Sequence, residues 1–567
     1  MGSWGGTLRL SGRDLGNFKN TISARVLHPL SCLASYDSLS EQIIGIAAVG
    51  GEGLAFTYDG FLQTGTTWTG TVSGSVSCTY DSNFWVTSTS VNGAHAATFA
   101  YDNDGLLTQA DDLAIARDAS NGFIAGTTAA TIADTWTYNG YCEPASYTAT
   151  GASGDLYAVA YTRDALGRIT QKAETIAGDQ MTWDYGHDTA GRLTTSTLTT
   201  PGGIFPTTYT YDANGNRLSK TGQFGTETGA YDAQDRMTAY GDCTYAYTAN
   251  GELSAKTCGT EVTSYTYDDF GNLTHVTMPD GITIDYVIDA RNRRVGKKVN
   301  GVLVQGFLYG DQLNPVAELD GSGAVVARFV YGTKPNVPDY MVKGGVTYRY
   351  VTDQLGSVRL VVDAATGAVA QRIDYDEYGV VIQRTNPDFQ PFGFAGGITD
   401  THTGLVRFGA RDYDPASGRW TSEDPVGFNG SLTNFYSYSL FDPVNHADAS
   451  GLECDRCITF SVPNRGVLSG GIGRVIAHKI GGYFAARLEF KIHCPHNYPR
   501  LTDVGLESRG NPPYSPAEHR FPEKWQSNWV GLGGGTYRTW FDVPSRTALI
   551  DPNGVQRVRV WATCCCK

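Results

Sequence analysis

The chain has 567 residues, a mass of 61.0 kDa and a formal net charge of −14. Gly (69) and Tyr (33) are abundant, Met (5) is scarce, and charged residues make up 18 %. This excludes a coiled coil, a helical bundle rich in Ala, Glu, Lys and Leu, and a highly charged disordered chain. Many Gly, Thr and Tyr with few strong helix formers predict strands and turns. No apolar run reaches the ~18 residues of a membrane-spanning helix, and Met1-Gly-Ser-Trp-Gly-Gly lacks the basic and apolar regions by which a secretory leader is read.

The charge is unevenly distributed. Glu453–Lys567 carries 15 Lys+Arg against 9 Asp+Glu, a balance of +6, whereas Met1–Leu452 has 28 against 48, a balance of −20. Such asymmetry predicts two functional parts. Six of the 11 cysteines lie in the last 115 residues. The other five, Cys32, Cys78, Cys142, Cys243 and Cys258, read as buried small apolar residues rather than a disulfide framework.

Residues 1–50 show no clear repeat. From Gly51 onward the chain repeats itself. Tyr101-Asp-Asn-Asp-Gly-Leu, Tyr211-Asp-Ala-Asn-Gly-Asn-Arg-Leu, Tyr231-Asp-Ala-Gln-Asp-Arg-Met and Tyr267-Asp-Asp-Phe-Gly-Asn-Leu belong to one series, with degenerate copies at Arg163, His187 and Ile288. From Tyr211 the copies at 231, 247, 267 and 288 follow at intervals of 20, 16, 20 and 21 residues. Each copy predicts a hairpin. Thr207-Thr-Tyr-Thr-Tyr alternates like a strand, and Asp-x-x-Gly-Asn supplies a turn with a residue able to take positive φ. A hairpin alone cannot bury a face, so the copies must pack side by side. Tyr packs and Asp caps in this reading, and no repeat residue is a catalytic candidate.

This series resembles the YD repeats of the Rhs family of bacterial polymorphic toxins, related to the C component of insecticidal toxin complexes and more distantly to teneurins. The resemblance covers about residues 51–452. It implies a mainly β fold in which repeat hairpins spiral into a hollow shell, or cocoon.

From Tyr348 the match sharpens. The strings Tyr348-Arg-Tyr-Val-Thr-Asp-Gln-Leu-Gly-Ser-Val-Arg, Gly404-Leu-Val-Arg-Phe-Gly-Ala-Arg-Asp-Tyr-Asp-Pro-Ala-Ser-Gly-Arg-Trp and Asn434-Phe-Tyr-Ser-Tyr-Ser-Leu-Phe-Asp-Pro-Val-Asn resemble the Rhs-associated core domain. The family pattern ends in Asp-Pro-x-Gly-Leu. Here it reads Asp448-Ala-Ser-Gly-Leu452, with Ala449 for Pro, and Asp442 stands where Asn is commoner.

The resemblance implies a self-cleaving aspartic protease that cuts between Leu452 and Glu453. The matched acids are Asp424 and Asp448, with Arg411 thirteen residues before Asp424 and Asp414 as a third, less central acid. Two carboxylates sharing a proton can act as base and acid on a water, and an arginine can hold one of them bidentately. The alternative is structural, with Asp-Pro turns and an Arg–Asp pair plugging a shell.

After Leu452 the sequence resembles no family we can name. Ala485–His493 and Val555–Ala562 alternate like strands, predicting a small β-rich or α+β cargo domain. Cys454, Cys457 and Cys494 form a weak zinc set, with free thiols or disulfides as the alternative. His493, His496, His519 and Glu518 are candidate acid–base groups of a nuclease, against surface histidines.

The sequence therefore divides into an unassigned segment 1–50, a repeat shell 51–347, a core 348–452 and a variable cargo 453–567. The resemblance implies a secreted or translocated effector whose cargo works in the target-cell cytoplasm; the basic balance, aromatic content and histidines of the cargo point to nucleic acid as its substrate, with NAD as the alternative. It also implies a delivery partner, either a secretion-system spike or a toxin-complex chain, and an immunity protein for the cargo. Apart from the weak zinc set, no cofactor is implied. The competing reading is a structural or adhesive shell like that of teneurins.

Overall fold

The computed structural model describes residues 23–28, 32–48, 50–427 and 433–452, and beyond them the strands of the C-terminal part between Ile458 and Cys565. Thirty-five strands from Ser23–His28 to Val381–Arg384 form one antiparallel meander, in which each strand pairs with its chain neighbours. The ladder already runs through Cys32–Tyr36 and Ile43–Ala48, ahead of the first legible repeat. It also passes through Tyr348 without a break, since Val346–Thr352 is a single strand.

The repeat sequence explains the hairpin. Asp212 Oδ1 accepts the amides of Asn214 and Asn216, both at 2.8 Å, and Gly215 takes φ 85°. In other copies the second carboxylate oxygen holds an arginine four residues on, as in Arg192–Asp188 and Arg236–Asp232, each at 2.7 Å. The Tyr hydroxyl reaches back to the strand behind: Tyr101 donates to Val86 O (3.0 Å), Tyr211 to Leu193 O (2.7 Å) and Tyr309 to Arg294 O (2.8 Å). A YD pair such as Tyr101-Asp102 or Tyr211-Asp212 thus caps its own turn and latches onto the preceding hairpin. A register shift falls at the same Tyr, as between Thr210 and Tyr211, and such bulges add local twist. At the other hairpin ends, Asn92-Gly93 and Asn300-Gly301 have positive φ at both residues, the two-residue turn that fits strand twist.

The meander coils back on itself, so strands far apart in sequence share cores. Phe56, Trp68 and Val76 pack with Phe307, Leu308 and Leu319, and Tyr157 and Ile176 pack with Val351 and Leu360. Each such side chain contributes about 1.5–3 kcal/mol by leaving water. Polar ties fix the alignment. Trp68 Nε1 donates to Asp289 at 3.1 Å, Arg349 meets Asp134 at 2.7 Å, and Arg359 bonds both oxygens of Glu174 at 3.1 Å.

The cysteine expectation needs correction. Cys243 and Cys258 are paired directly across neighbouring strands and form a disulfide, Cys142 is exposed, and Cys78 is half-buried. The pairing follows from hairpin register, which cysteine spacing alone does not reveal.

After Leu452 the described strands form two antiparallel sheets. One contains Ile458–Val462, Arg557–Cys565 and Arg500–Arg509; the other contains Gly471–Ile480, Tyr483–His493, Thr536–Asp542 and Asn528–Gly533. No α-helix occurs among the described residues.

Candidate active site

Residues 398–420 leave the meander and fold into a small sheet of Ile398–Thr399, Val406–Phe408, Arg411–Asp414 and Arg419–Trp420. Buried Phe394, Phe408, Tyr413, Trp420 and Tyr438 form its core. The segment lies along the YD turns of successive repeats. Arg419 donates to Asn216 Oδ1 (2.9 Å) and Asp235 O (2.6 Å), and Tyr436 to Gly251 O (2.7 Å). Arg407 donates to Asn272 Oδ1 (3.1 Å), and Arg294 pairs with Asp412 at 2.9 Å.

Against this support the tail returns. Ala410 N donates to Ser450 O at 2.8 Å. Gly409 and Gly451 let the two backbones touch: a Cβ at Gly409 would stand 2.2 Å from Ser450 O, and one at Gly451 2.4 Å from Phe408 O. Both have positive φ, 36° and 66°.

Arg411, 1 % exposed, organises the junction. Its Nη2 lies 3.0 Å from Asp424 Oδ2 and 3.4 Å from Asp448 Oδ2. Nε donates to Gly451 O at 2.5 Å, Nη1 to Phe435 O at 3.1 Å, and the guanidinium stacks 4.3 Å from the Trp420 ring centre. Asp424 and Asp448 are also buried. Asp448 Oδ1 accepts from Ser450 Oγ (2.9 Å), Gly451 N (3.0 Å) and Leu452 N (3.3 Å). Asp424 Oδ1 accepts Val426 N at 2.9 Å.

Of the residues predicted from sequence, Arg411, Asp424, Asp448 and Leu452 therefore come together. Asp414 instead caps its own turn, accepting Ala416 N at 3.1 Å. Glu453, Cys454, Cys457, Cys494, His496, Glu518 and His519 lie outside the described residues. His493 ends a described strand, but its side chain lies outside them as well.

Two participants escaped the sequence reading. Ser450 Oγ, whose single proton goes to Asp448 Oδ1, accepts Leu452 N at 3.1 Å and lies 3.4 Å from Leu452 O. Its signal was a hydroxyl two residues after an Asp, the pattern of a self-capped turn. Trp420 carries the stacking face, and nothing local announces that. No group of three His, Cys, Asp or Glu that could hold a metal occurs among the described residues.

Known proteins share this architecture. Teneurin-1 of Gallus gallus is 33 % identical over 196 residues, 34 % of this chain and 7 % of its own length. The tRNA3(Ser)-specific nuclease WapA of Bacillus spizizenii is 29 % identical over 249 residues, 42 % of this chain and 10 % of its own length. The chain thus matches a tenth or less of these relatives' length. Among solved structures, the Tc holotoxin pore of Photorhabdus luminescens has a TM-score of 0.56 at 15 % identity, over 75 % of this chain and 23 % of that one. The TcdB2-TccC3 crystal structure has a TM-score of 0.53 at 16 % identity, over 75 % and 24 %. At such identities the likeness is one of fold. The family model of the teneurin YD-shell matches residues 36–444, which takes in nearly the whole meander and its closing segment, and the chain belongs to that family.

Proposed function

We propose that the chain is a toxin-carrying YD shell that cuts itself between Leu452 and Glu453 and so frees residues 453–567 as cargo. One observation carries the reading: Asp424 and Asp448 meet on one nitrogen of Arg411, and both Arg411 and Asp448 hold the peptide that ends in Leu452. A pair of carboxyl groups acts as general base and general acid when one of them carries a proton. One carboxylate takes a proton from a water whose oxygen bonds to the Leu452 carbonyl carbon. The other protonates the Glu453 nitrogen as the C–N bond breaks. The products are a Leu452 carboxylate and a Glu453 amine. Ser450, which accepts Leu452 N and lies 3.4 Å from Leu452 O, orients that peptide.

In this reading residues 453–567 are a separate domain delivered into a target cell through a partner chain. Inside the cell it acts on nucleic acid, and an immunity protein restrains it in the producer. The +6 balance and the aromatic content suit an anionic, stackable substrate, and one relative bears the description of a tRNA-specific nuclease. Expression of Glu453–Lys567 in a bacterium tests the cargo: growth arrest with degraded RNA or DNA is expected, and arrest with intact nucleic acid but depleted NAD overturns the nuclease assignment. The second reading, an adhesive or structural shell, draws on the teneurin alignments. It predicts one uncut chain on a denaturing gel, where the first predicts two.

A further inference from the structure

The repeat copy at His187-Asp-Thr-Ala-Gly-Arg-Leu lacks the Tyr that latches other copies to the strand behind. Its Asp still caps the turn, accepting Ala190 N (2.9 Å) and Arg192 N (3.0 Å). The His turns elsewhere. His187 Nε2 stands 3.3 Å from Asp442 Oδ1, and the two side chains are 1 % and 3 % exposed. Asn445 Nδ2 donates to both Asp442 oxygens, at 3.0 and 2.8 Å, and lies 3.5 Å from His187 Nε2. Asn445 Oδ1 accepts Ile169 N at 2.8 Å, on the strand preceding the His187 hairpin. The tail thus ties itself to the hairpins at 169 and 187.

Directly before this knot, Ser439, Leu440 and Phe441 have φ of 49°, 56° and 63°. Three consecutive L-residues in the left-handed region are strained and persist only where their surroundings hold them. On one side Phe441 is wedged against the turn glycine of another repeat, where a Cβ at Gly215 would meet its ring at 2.3 Å. On the other side stands Asp442. The next six residues lead to Asp448, and Asn445 N and His446 N both bond Asp442 O, at 3.3 and 3.1 Å.

We propose that His187 is a positioning residue: with Asp442 and Asn445 it clasps the left-handed turn at 439–441 and thereby sets the tail that places Asp448 and Leu452 against Arg411. The clasp stands on its own geometry, and its effect on cleavage rests on the function proposed above. Without His187, Asp442 keeps Asn445 Nδ2 but loses one of its hydrogen bonds in a buried site, and that loss loosens the tail.

The test is hydrogen–deuterium exchange of peptides covering 442–452, performed on the full chain carrying Asp424→Asn so that cutting does not intervene. His187→Leu removes the donor at similar size, and exchange in 442–452 is expected to rise about tenfold or more, the effect of one lost hydrogen bond to a buried charge. His187→Gln keeps an N–H donor near the Nε2 position, and exchange is expected to remain within about threefold of the parent. Exchange across Ile43–Thr69 reports whether the remote shell is intact. If His187→Leu does not assemble a shell, Asn445→Ser shortens the other arm and is expected to raise exchange in the same peptides. Unchanged exchange in His187→Leu, or equal loss of protection in His187→Leu and His187→Gln, overturns the clasp. In the cleaving background, His187→Leu is expected to slow cutting at least about tenfold while His187→Gln cuts normally. A parent chain that never cuts refutes the proposed function while leaving the exchange result to decide the clasp.

Discussion

At the scale of residues, the shell repeats one small invention. An Asp carboxylate caps two amides, a residue of positive φ closes the turn, and a Tyr hydroxyl ties the hairpin to the strand behind. These parts are legible in the sequence because the caps act within five residues and the series recurs every 16 to 21 residues. Degenerate copies test the logic. At Tyr138-Asn-Gly-Tyr-Cys-Glu143, Asn139 Oδ1 accepts Tyr141 N and Glu143 N, and Cys142 takes the glycine position with φ 67°. Cys142→Gly is therefore expected to stabilise the shell by about 1 kcal/mol, the cost of a side chain in the left-handed region, read from the denaturant midpoint. The reverse applies at Gly451, whose Cβ position faces the backbone of Phe408 and Arg411 at 2.4 and 2.8 Å. Gly451→Ala is expected to lift the tail off Arg411 and slow self-cleavage at least about tenfold, since a left-handed L-residue alone costs about 1–3 kcal/mol. A rate equal to the parent's, measured by denaturing gel over time, contradicts the docking described.

At the scale of elements, what holds the coil is the contact between strands far apart in the chain, and here the sequence is silent. Glu174 on Ile169–Ile176 meets Arg359 on Val358–Asp363, and Lys172 stands 3.5 Å away. Burial pushes the Glu174 carboxyl up, but Lys172 and then Arg359 more than offset this and hold it at about 2. Since the folded value lies below the ordinary one, the pair stabilises the shell above the usual carboxylate range and loses that contribution as pH falls from about 4.5 toward about 2. Glu174→Gln is expected to cost about 3 kcal/mol at pH 7 and little near pH 2, measured by unfolding at both values. An equal loss at both contradicts the assignment. Neither partner shows a motif, because a coil contact depends on where strands land and not on local spacing. The His187–Asp442 contact is hidden for the same reason, whereas the Cys243–Cys258 bridge spans a single hairpin and depends on its register. Arg411, Asp424 and Asp448 were found only because a family resemblance singled out their strings; 37 residues separate Arg411 from Asp448.

At the scale of the whole molecule, residues 1–452, which contain the meander and its closing segment, have an acidic balance of −20 and are followed by a chain with a balance of +6. If the cargo is enclosed, residues 453–567 should resist added protease until the shell is opened. High salt alone should not elute them, although it screens charge attraction beyond about 8–10 Å; quantitative elution from intact particles contradicts enclosure. Everything in the functional account depends on one bond. The most direct measurement is the intact mass of the purified full chain under denaturing conditions, alongside Asp424→Asn and Asp448→Asn. Two polypeptides are expected for the parent, residues 1–452 and 453–567, and a single 61.0 kDa chain for each variant. A parent that stays whole, or variants that still divide after Leu452, would contradict it.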